Sequence, residues 1–150
     1  MRFTFVWVGK TRNKHLLALQ EDYLARLSKF ADCSIGEVRE FASAKLREDE
    51  GKRILEKLRP GTFVCVLDEK GKQETSKELA GRIQGWQERS VRDIVFVIGG
   101  AEGVSAAVAE RADHRLSLSF LTFTHEMARV FLLEQLYRAF TILKGFPYQK

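Results

Sequence analysis

Ten residues, Ile94-Val-Phe-Val-Ile-Gly-Gly-Ala-Glu-Gly103, join a wholly apolar run to three glycines with a carboxylate, Glu102, among them. Glycines at the end of a strand let the backbone turn tightly and let a ligand approach the main chain. Backbone N–H groups in such a loop attract anions, but Glu102 repels a phosphate. The loop therefore suits a neutral or partly cationic nucleoside-like ligand better than a nucleotide. A glycine pair that merely makes a turn is the plain alternative. Further on, His125 and Arg129 stand four apart at the start of a helical stretch and share a face. A helix amino terminus disfavours the imidazolium, which leaves His125 neutral and able to accept a proton. Arg129, one turn on, can hold a phosphate or a base carbonyl. Against both stands a solvated polar face with no chemistry.

Three more groups bear on chemistry. Leu116-Ser-Leu-Ser-Phe-Leu-Thr-Phe123 alternates apolar and hydroxyl residues. It reads either as a half-buried strand and loop or as a pocket wall whose backbone meets an adenine edge. Its place beside the glycine loop favours the wall. Lys10, Arg12, Lys14 and His15 follow the first apolar run and suit phosphate contacts. A second basic cluster, Lys45, Arg47, Lys52, Arg53, Lys57 and Arg59, is diluted by Glu48, Asp49, Glu50 and Glu56. Near the terminus, Glu134 and Arg138 have pairing distance on a helix, and Phe146-Pro147-Tyr148 forms an aromatic tail.

The elements that must position these groups alternate along the chain. Arg2–Val8 reads as a strand with Phe3, Phe5 and Trp7 on one face. A helical stripe runs from about His15 to Phe30, a short strand covers Ser34–Val38, and a second helix carries Leu46, Ile54, Leu55 and Leu58. Thr62–Leu67 is a buried strand. Thr75-Ser-Lys-Glu78 has capping-box spacing and opens a helix with Leu79, Ile83 and Trp86 inside. Ile94–Ile98, a short helix near Val104–Ala112, a strand at Arg115–Ser119 and a long helix from about Thr124 to Lys144 complete the order. Gly145 and Pro147 mark its end. Five strand–helix alternations predict an α/β fold, a parallel sheet with helices on both faces, in a single domain over residues 1–150.

The chain of 150 residues is 45% apolar and 30% charged, which is enough core to fold without metal or disulfides. The longest apolar stretch, Met127 to Leu143, is broken by Arg129, Glu134, Gln135 and Arg138, so no membrane span is expected. The first residues read as a strand and lack a signal peptide's pattern, which points to the cytoplasm. Cys33 and Cys65 have no metal-ligand or redox spacing, and Cys65 reads as a core residue. A net charge of +5 is compatible with a polyanionic partner.

Three stretches together resemble the ribosomal RNA large subunit methyltransferase H family. They are Phe96–Gly103, Leu116-Ser-Leu-Ser119, and the last helix from Arg129 to Ile142 followed by Pro147-Tyr148. Val8-Gly9-Lys10 and Leu67-Asp68 extend the likeness over the whole chain. The resemblance implies a minimal SPOUT-class enzyme that uses S-adenosylmethionine to methylate N3 of a pseudouridine in 23S rRNA on assembled ribosomes. It also implies a homodimer and a C-terminal trefoil knot, which general topology rules would not predict. By the same likeness the cofactor meets Leu67, Gly99, Leu118, Ser119, Phe120, Leu121, Thr122 and Phe123. His125 is the leading candidate for contact with the target base, beside Arg129, with Tyr148 of the partner subunit second. No metal is needed, because the sulfonium already activates the methyl group. The family usually ends in Pro-Tyr-His, whereas Gln149 stands in the last position here, and Thr124 replaces a frequent proline. Thr124 should still cap the helix. The surplus apolar residues of that helix, Met127, Val130, Phe131, Leu133, Leu136, Tyr137, Phe140 and Leu143, predict a dimer face. A non-enzymatic ribosome-binding module and an enzyme for another nucleoside-like ligand remain the alternatives.

Overall fold

The computed structural model describes residues 1–148. The apolar runs become five strands: β1 (Arg2–Val8), β2 (Asp32–Val38), β3 (Phe63–Gln73), β4 (Asp93–Ile98) and β5 (His114–Ser117). Between and after them lie α1 (Lys14–Leu27), α2 (Leu46–Glu56), α3 (Ser76–Glu88), α4 (Ala106–Arg111) and α5 (His125–Lys144). All pairings are parallel, in the order β2-β1-β4-β3-β5. The predicted α/β sheet is therefore present.

Central β4 is buried from Ile94 to Ile98, which explains its unbroken apolar run: helices cover both faces. The two faces differ in residue size. Phe3, Phe5, Trp7 and Phe96 point to the face covered by α1, α3 and α5, where Leu27, Ile83, Trp86, Leu132, Leu136 and Phe140 pack on them. Val6, Val8, Val64, Val66, Val95 and Val97 form the other face under Ile54 of α2 and Val108 of α4. Aromatic bulk fills the three-helix layer, with Phe3 edge-on to Phe96 at 5.2 Å and Phe5 stacked on Phe96 at 5.6 Å. Cys65 lies in this core, and burial pushes its thiol up to about 12, consistent with a packing role.

Local signals set most boundaries. Asn13 caps α1 by accepting from the N–H groups of His15 and Leu16, and Thr75 and Glu78 close the expected capping box on α3. Gly145 ends α5 with φ +69°, a left-handed conformation that suits glycine. Two expectations change. β3 runs well past Leu67, and its register against β5 breaks between Leu67 and Lys72. Asp68, in that break, takes the guanidinium of Arg115, so polar pairing continues the strand where the apolar pattern stops. The dimer face expected on α5 also shrinks. Val130, Leu133, Leu136 and Phe140 are buried in their own subunit's core, because α5 packs on both α1 and α3 and needs a wide apolar surface.

Candidate active site

Strand order brings the candidate groups to one edge. β4, β3 and β5 are neighbours, and Val66 pairs with Val97 and Leu67 with Leu116. Leu67, short of the end of β3, therefore lies level with the carboxyl ends of β4 and β5, where Gly99 and residues 118–123 begin. Ligands favour this edge of an open parallel sheet.

The glycine loop is tighter than a simple turn. Gly103 donates its N–H to the Gly100 carbonyl at 3.0 Å and adopts φ +78°. A Cβ on buried Gly99 would lie 2.4 Å from the carbonyl carbon of Gly103. Glycine is thus required at 99 by the loop's own backbone, before any ligand arrives. Glu102 is exposed. Behind the loop sits a second acid that sequence reasoning left among the diluting charges of α2. Glu50 is 4% exposed, and its Oε1 lies 2.8 Å from where a Cβ on Gly100 would stand. Burial pushes its carboxyl up, and the backbone N–H of Phe41 opposes that. The loop's surroundings are acidic.

The segment after β5 organises itself. Ser117 donates its hydroxyl to the Ser119 carbonyl, and the Leu121 N–H donates to Ser119 Oγ, both at 3.0 Å. Thr122 Oγ1 donates to Glu69 at 3.1 Å, tying the loop to the extension of β3. The Phe123 ring packs on Phe131 of α5 with centroids 4.9 Å apart. Leu118 and Ser119 are half-buried, but Phe120 and Leu121 are 78% and 73% exposed. Two large apolar side chains therefore stand in water beside the glycine loop. Concavities of about 460 and 550 Å³ occur elsewhere, one along α3 by Glu74 and Arg82, the other beneath β3 and β4 by Thr62 and Arg92. Neither is lined by the loop residues.

At the amino end of α5, Thr124 accepts from the Met127 N–H and caps the helix as expected. His125 follows, half-buried, with its Nδ1 buried and unpartnered. Burial lowers the histidine's pKa, and the neighbouring Arg129 lowers it further, which favours the neutral imidazole. The neutral state expected from the helix dipole thus has a stronger cause in desolvation. Arg129 departs from expectation. It is completely buried, donating to Thr11 Oγ1 at 2.9 Å and to the Val8 carbonyl, with its guanidinium 4.8 Å from the Trp7 ring centre. Burial pulls its pKa down to about 10, so it stays charged at neutral pH. An arginine spent on β1 and the loop beyond it does not reach out to a phosphate. Glu126, which spacing arguments passed over, accepts the backbone N–H groups of Arg12 and Asn13 at 2.8 and 3.0 Å. Those two donors, Asn13 first, hold its carboxyl below the usual range.

The tail is anchored within its own subunit. Tyr148 donates to Glu134 Oε1 at 2.9 Å, lies 3.2 Å from the Tyr23 hydroxyl, and carries the Arg138 guanidinium over its ring. Burial and these neighbours push its pKa up, which makes it a poor proton acceptor. The Glu134–Arg138 pair expected on the surface is part of this cluster. Gln149 lies outside the described residues. Among the described residues, no three His, Cys, Asp or Glu side chains converge to hold a metal ion, and no helix is long and apolar enough to cross a membrane.

Comparison with known proteins agrees with this geometry. The chain is 40% identical over 151 residues to a ribosomal RNA large subunit methyltransferase H of Geotalea daltonii, with 99% of each chain covered. It is 43% identical over 154 residues to the protein of that name from Pelotomaculum thermopropionicum, covering 97% of this chain and 96% of that one. A solved structure of a probable methyltransferase from Bordetella pertussis Tohama I superposes with a TM-score of 0.57 at 14% identity, covering 92% of this chain and 95% of that chain, and shares the fold. Residues 1–149 match the family described as "Predicted SPOUT methyltransferase", and the chain belongs to that family of methyltransferases.

Proposed function

We propose that this enzyme uses S-adenosylmethionine to methylate N3 of a pseudouridine in 23S rRNA, acting on assembled ribosomes in the cytoplasm. One SPOUT domain over residues 1–150 does so as a homodimer, with its C-terminal segment in the family's trefoil knot. The observation that carries the reading is that register puts Leu67 of β3 level with Gly99 after β4 and the 118–123 loop after β5, on three adjacent strands, in a chain whose full-length relatives bear that rRNA methyltransferase name.

The residues present fit the cofactor. Acidic surroundings at the glycine loop, from Glu50 and Glu102, suit a sulfonium and an ammonium better than a phosphate. Leu67, Leu118, Phe120 and Leu121 offer apolar contact, while Ser119, Thr122 and Phe123 shape the backbone that meets the adenine. The bound cofactor supplies an activated methyl group. This chain must then hold N3 in line with it and accept a weakly acidic imide proton. His125, held neutral by burial and by Arg129, is the residue we assign to accept that proton or hydrogen bond. The exposed Phe120 and Leu121, with Met127 and Phe131 at 39% each, leave an apolar patch for the second subunit to cover. Lys10 and Arg12 bear on rRNA phosphates.

Calorimetry with S-adenosylmethionine, followed by methyl transfer to intact ribosomes and to protein-free rRNA fragments containing pseudouridine, tests the reading. Binding with transfer to ribosomes alone is expected. A folded protein that binds no S-adenosylmethionine would remove the reading, and equal turnover on a short fragment would remove the ribosome from it.

A further inference from the structure

The loop between β1 and α1, residues 9–13, is held at four backbone or side-chain points while its charges stay in water. Arg129 takes the Val8 carbonyl and the Thr11 hydroxyl, and Thr11 in turn donates to Gln20 of α1. Glu126 takes the N–H groups of Arg12 and Asn13, and Asn13 caps α1. Lys10 is exposed, and the Arg12 side chain is 75% exposed, paired with Glu40 at 3.1 Å. The two holding residues lie on the first turns of α5, one and four positions after His125.

The fold does not explain this arrangement by itself. α5 is already secured by Leu132, Leu133, Leu136 and Phe140 in the core. The N–H groups of Arg12 and Asn13 lie at the surface, where water would satisfy them at little cost. A carboxylate from the candidate catalytic helix takes them instead, and a buried arginine one turn on repeats the attachment to the same loop.

We propose that Glu126 and Arg129 are positioning residues that register the basic 9–13 loop on the amino end of α5, so that Lys10 and Arg12 grip rRNA at a fixed distance from His125. The inference rests on the rRNA methyltransferase reading and adds to it: RNA engagement and proton acceptance share one rigid unit. Glu126 is the better probe, because Arg129 is buried and its loss disturbs the core.

The experiment compares Glu126→Ala and Glu126→Gln in the full-length protein. Amide hydrogen exchange at Arg12 and Asn13 should accelerate about tenfold or more in the alanine variant, since two charge-assisted bonds vanish. kcat/KM for ribosomes should fall by about tenfold, with S-adenosylmethionine affinity unchanged. Glu126→Gln should recover most of the loss, because its amide oxygen accepts the same N–H groups. Wild-type kcat/KM in Glu126→Ala, despite freed amides, would overturn the proposal. So would a fall in cofactor affinity that tracks the loss of activity, which marks a merely structural helix end. Wild-type protein that methylates no ribosome would instead sink the functional reading and the RNA half of this proposal, while amide exchange still reports the attachment.

Discussion

Two loops at the carboxyl edge of the sheet are stabilised in opposite ways. The 9–13 loop is held from outside, by a buried arginine and a carboxylate on α5, and shows water polar side chains, Lys10, Arg12 and Asn13. The 118–123 loop is held mainly by local bonds of Ser117 and Ser119, with one tie from Thr122 to Glu69 of β3, and shows water two large apolar side chains. The first is finished within one subunit. The second is built for contact, since exposed Phe120 and Leu121 gain only when something covers them. Preorganisation therefore sits in the loop we assign to RNA, and incompleteness in the loop we assign to the cofactor and a second copy.

The largest effect, a loss of ligand binding, should come at the glycine loop, which has no room. Gly99→Val places a branched side chain against the carbonyl of Gly103, so the glycine loop must move. We expect S-adenosylmethionine binding to be lost and stability to fall by about 1–3 kcal/mol. Calorimetry and urea denaturation give both numbers; a folded Gly99→Val protein with unchanged cofactor affinity would place the pocket elsewhere.

Next comes the finished loop. Arg129→Met keeps bulk over Trp7 but leaves the Val8 carbonyl and Thr11 without their donor, at a cost of roughly 2–4 kcal/mol. Ser119→Ala, in the self-held loop, should cost about 1 kcal/mol or less, because its partner amide remains open to water. Equal losses in the two variants would erase the distinction.

Most of the scaffold was legible because each of its signals is local. The apolar run of β4, the capping box on α3 and Gly145 all declare their elements within a few residues. The faces of β1 were legible too, since alternation separates Phe3, Phe5 and Trp7 from Val6 and Val8. What escaped depends on distant partners. Arg129 looks like a surface cation until Val8 and Thr11, more than a hundred positions earlier, fold over it. Glu50 stood among the diluting charges of a basic cluster and Glu126 carried no signal, for the same reason. The breadth of apolar residues on α5 was read as a dimer face, but two neighbouring helices consume most of it. A stripe's width shows how much is covered, not by what.

The contact loop's exposed residues give a smaller, cleaner test. Phe120→Ser with Leu121→Ser removes apolar area that water already touches, so it should leave the subunit's own packing intact. Self-association and cofactor affinity should each weaken by about tenfold, since each partner covers only part of two side chains whose full burial contributes roughly 1.5–3 kcal/mol apiece. Sedimentation equilibrium and calorimetry would detect it, and unchanged values in both would mean that nothing covers this patch.

The smallest effect is a shift in pH dependence, and it links the finished loop to the chemistry. Burial, then Arg129, lowers the pKa of His125 below its ordinary 6.5. If neutral His125 receives the imide proton, kcat/KM should hold steady through pH 6.5 and fall only on the acid side, about tenfold per pH unit once the ring is protonated. The stability linkage has the same sign. The unfolded chain takes this proton first, so the histidine's contribution is intact above 6.5 and is lost as pH drops from there through the folded value. Arg129→Met removes a cation facing the ring, while Glu126 and Glu40, which favour the charged form, remain. The acid limb should therefore move up toward 6.5 in that variant, and His125→Gln should abolish it. A wild-type limb centred above 6.5, or one that ignores Arg129→Met, would detach His125 from proton acceptance and leave Arg129 with only its hold on the loop.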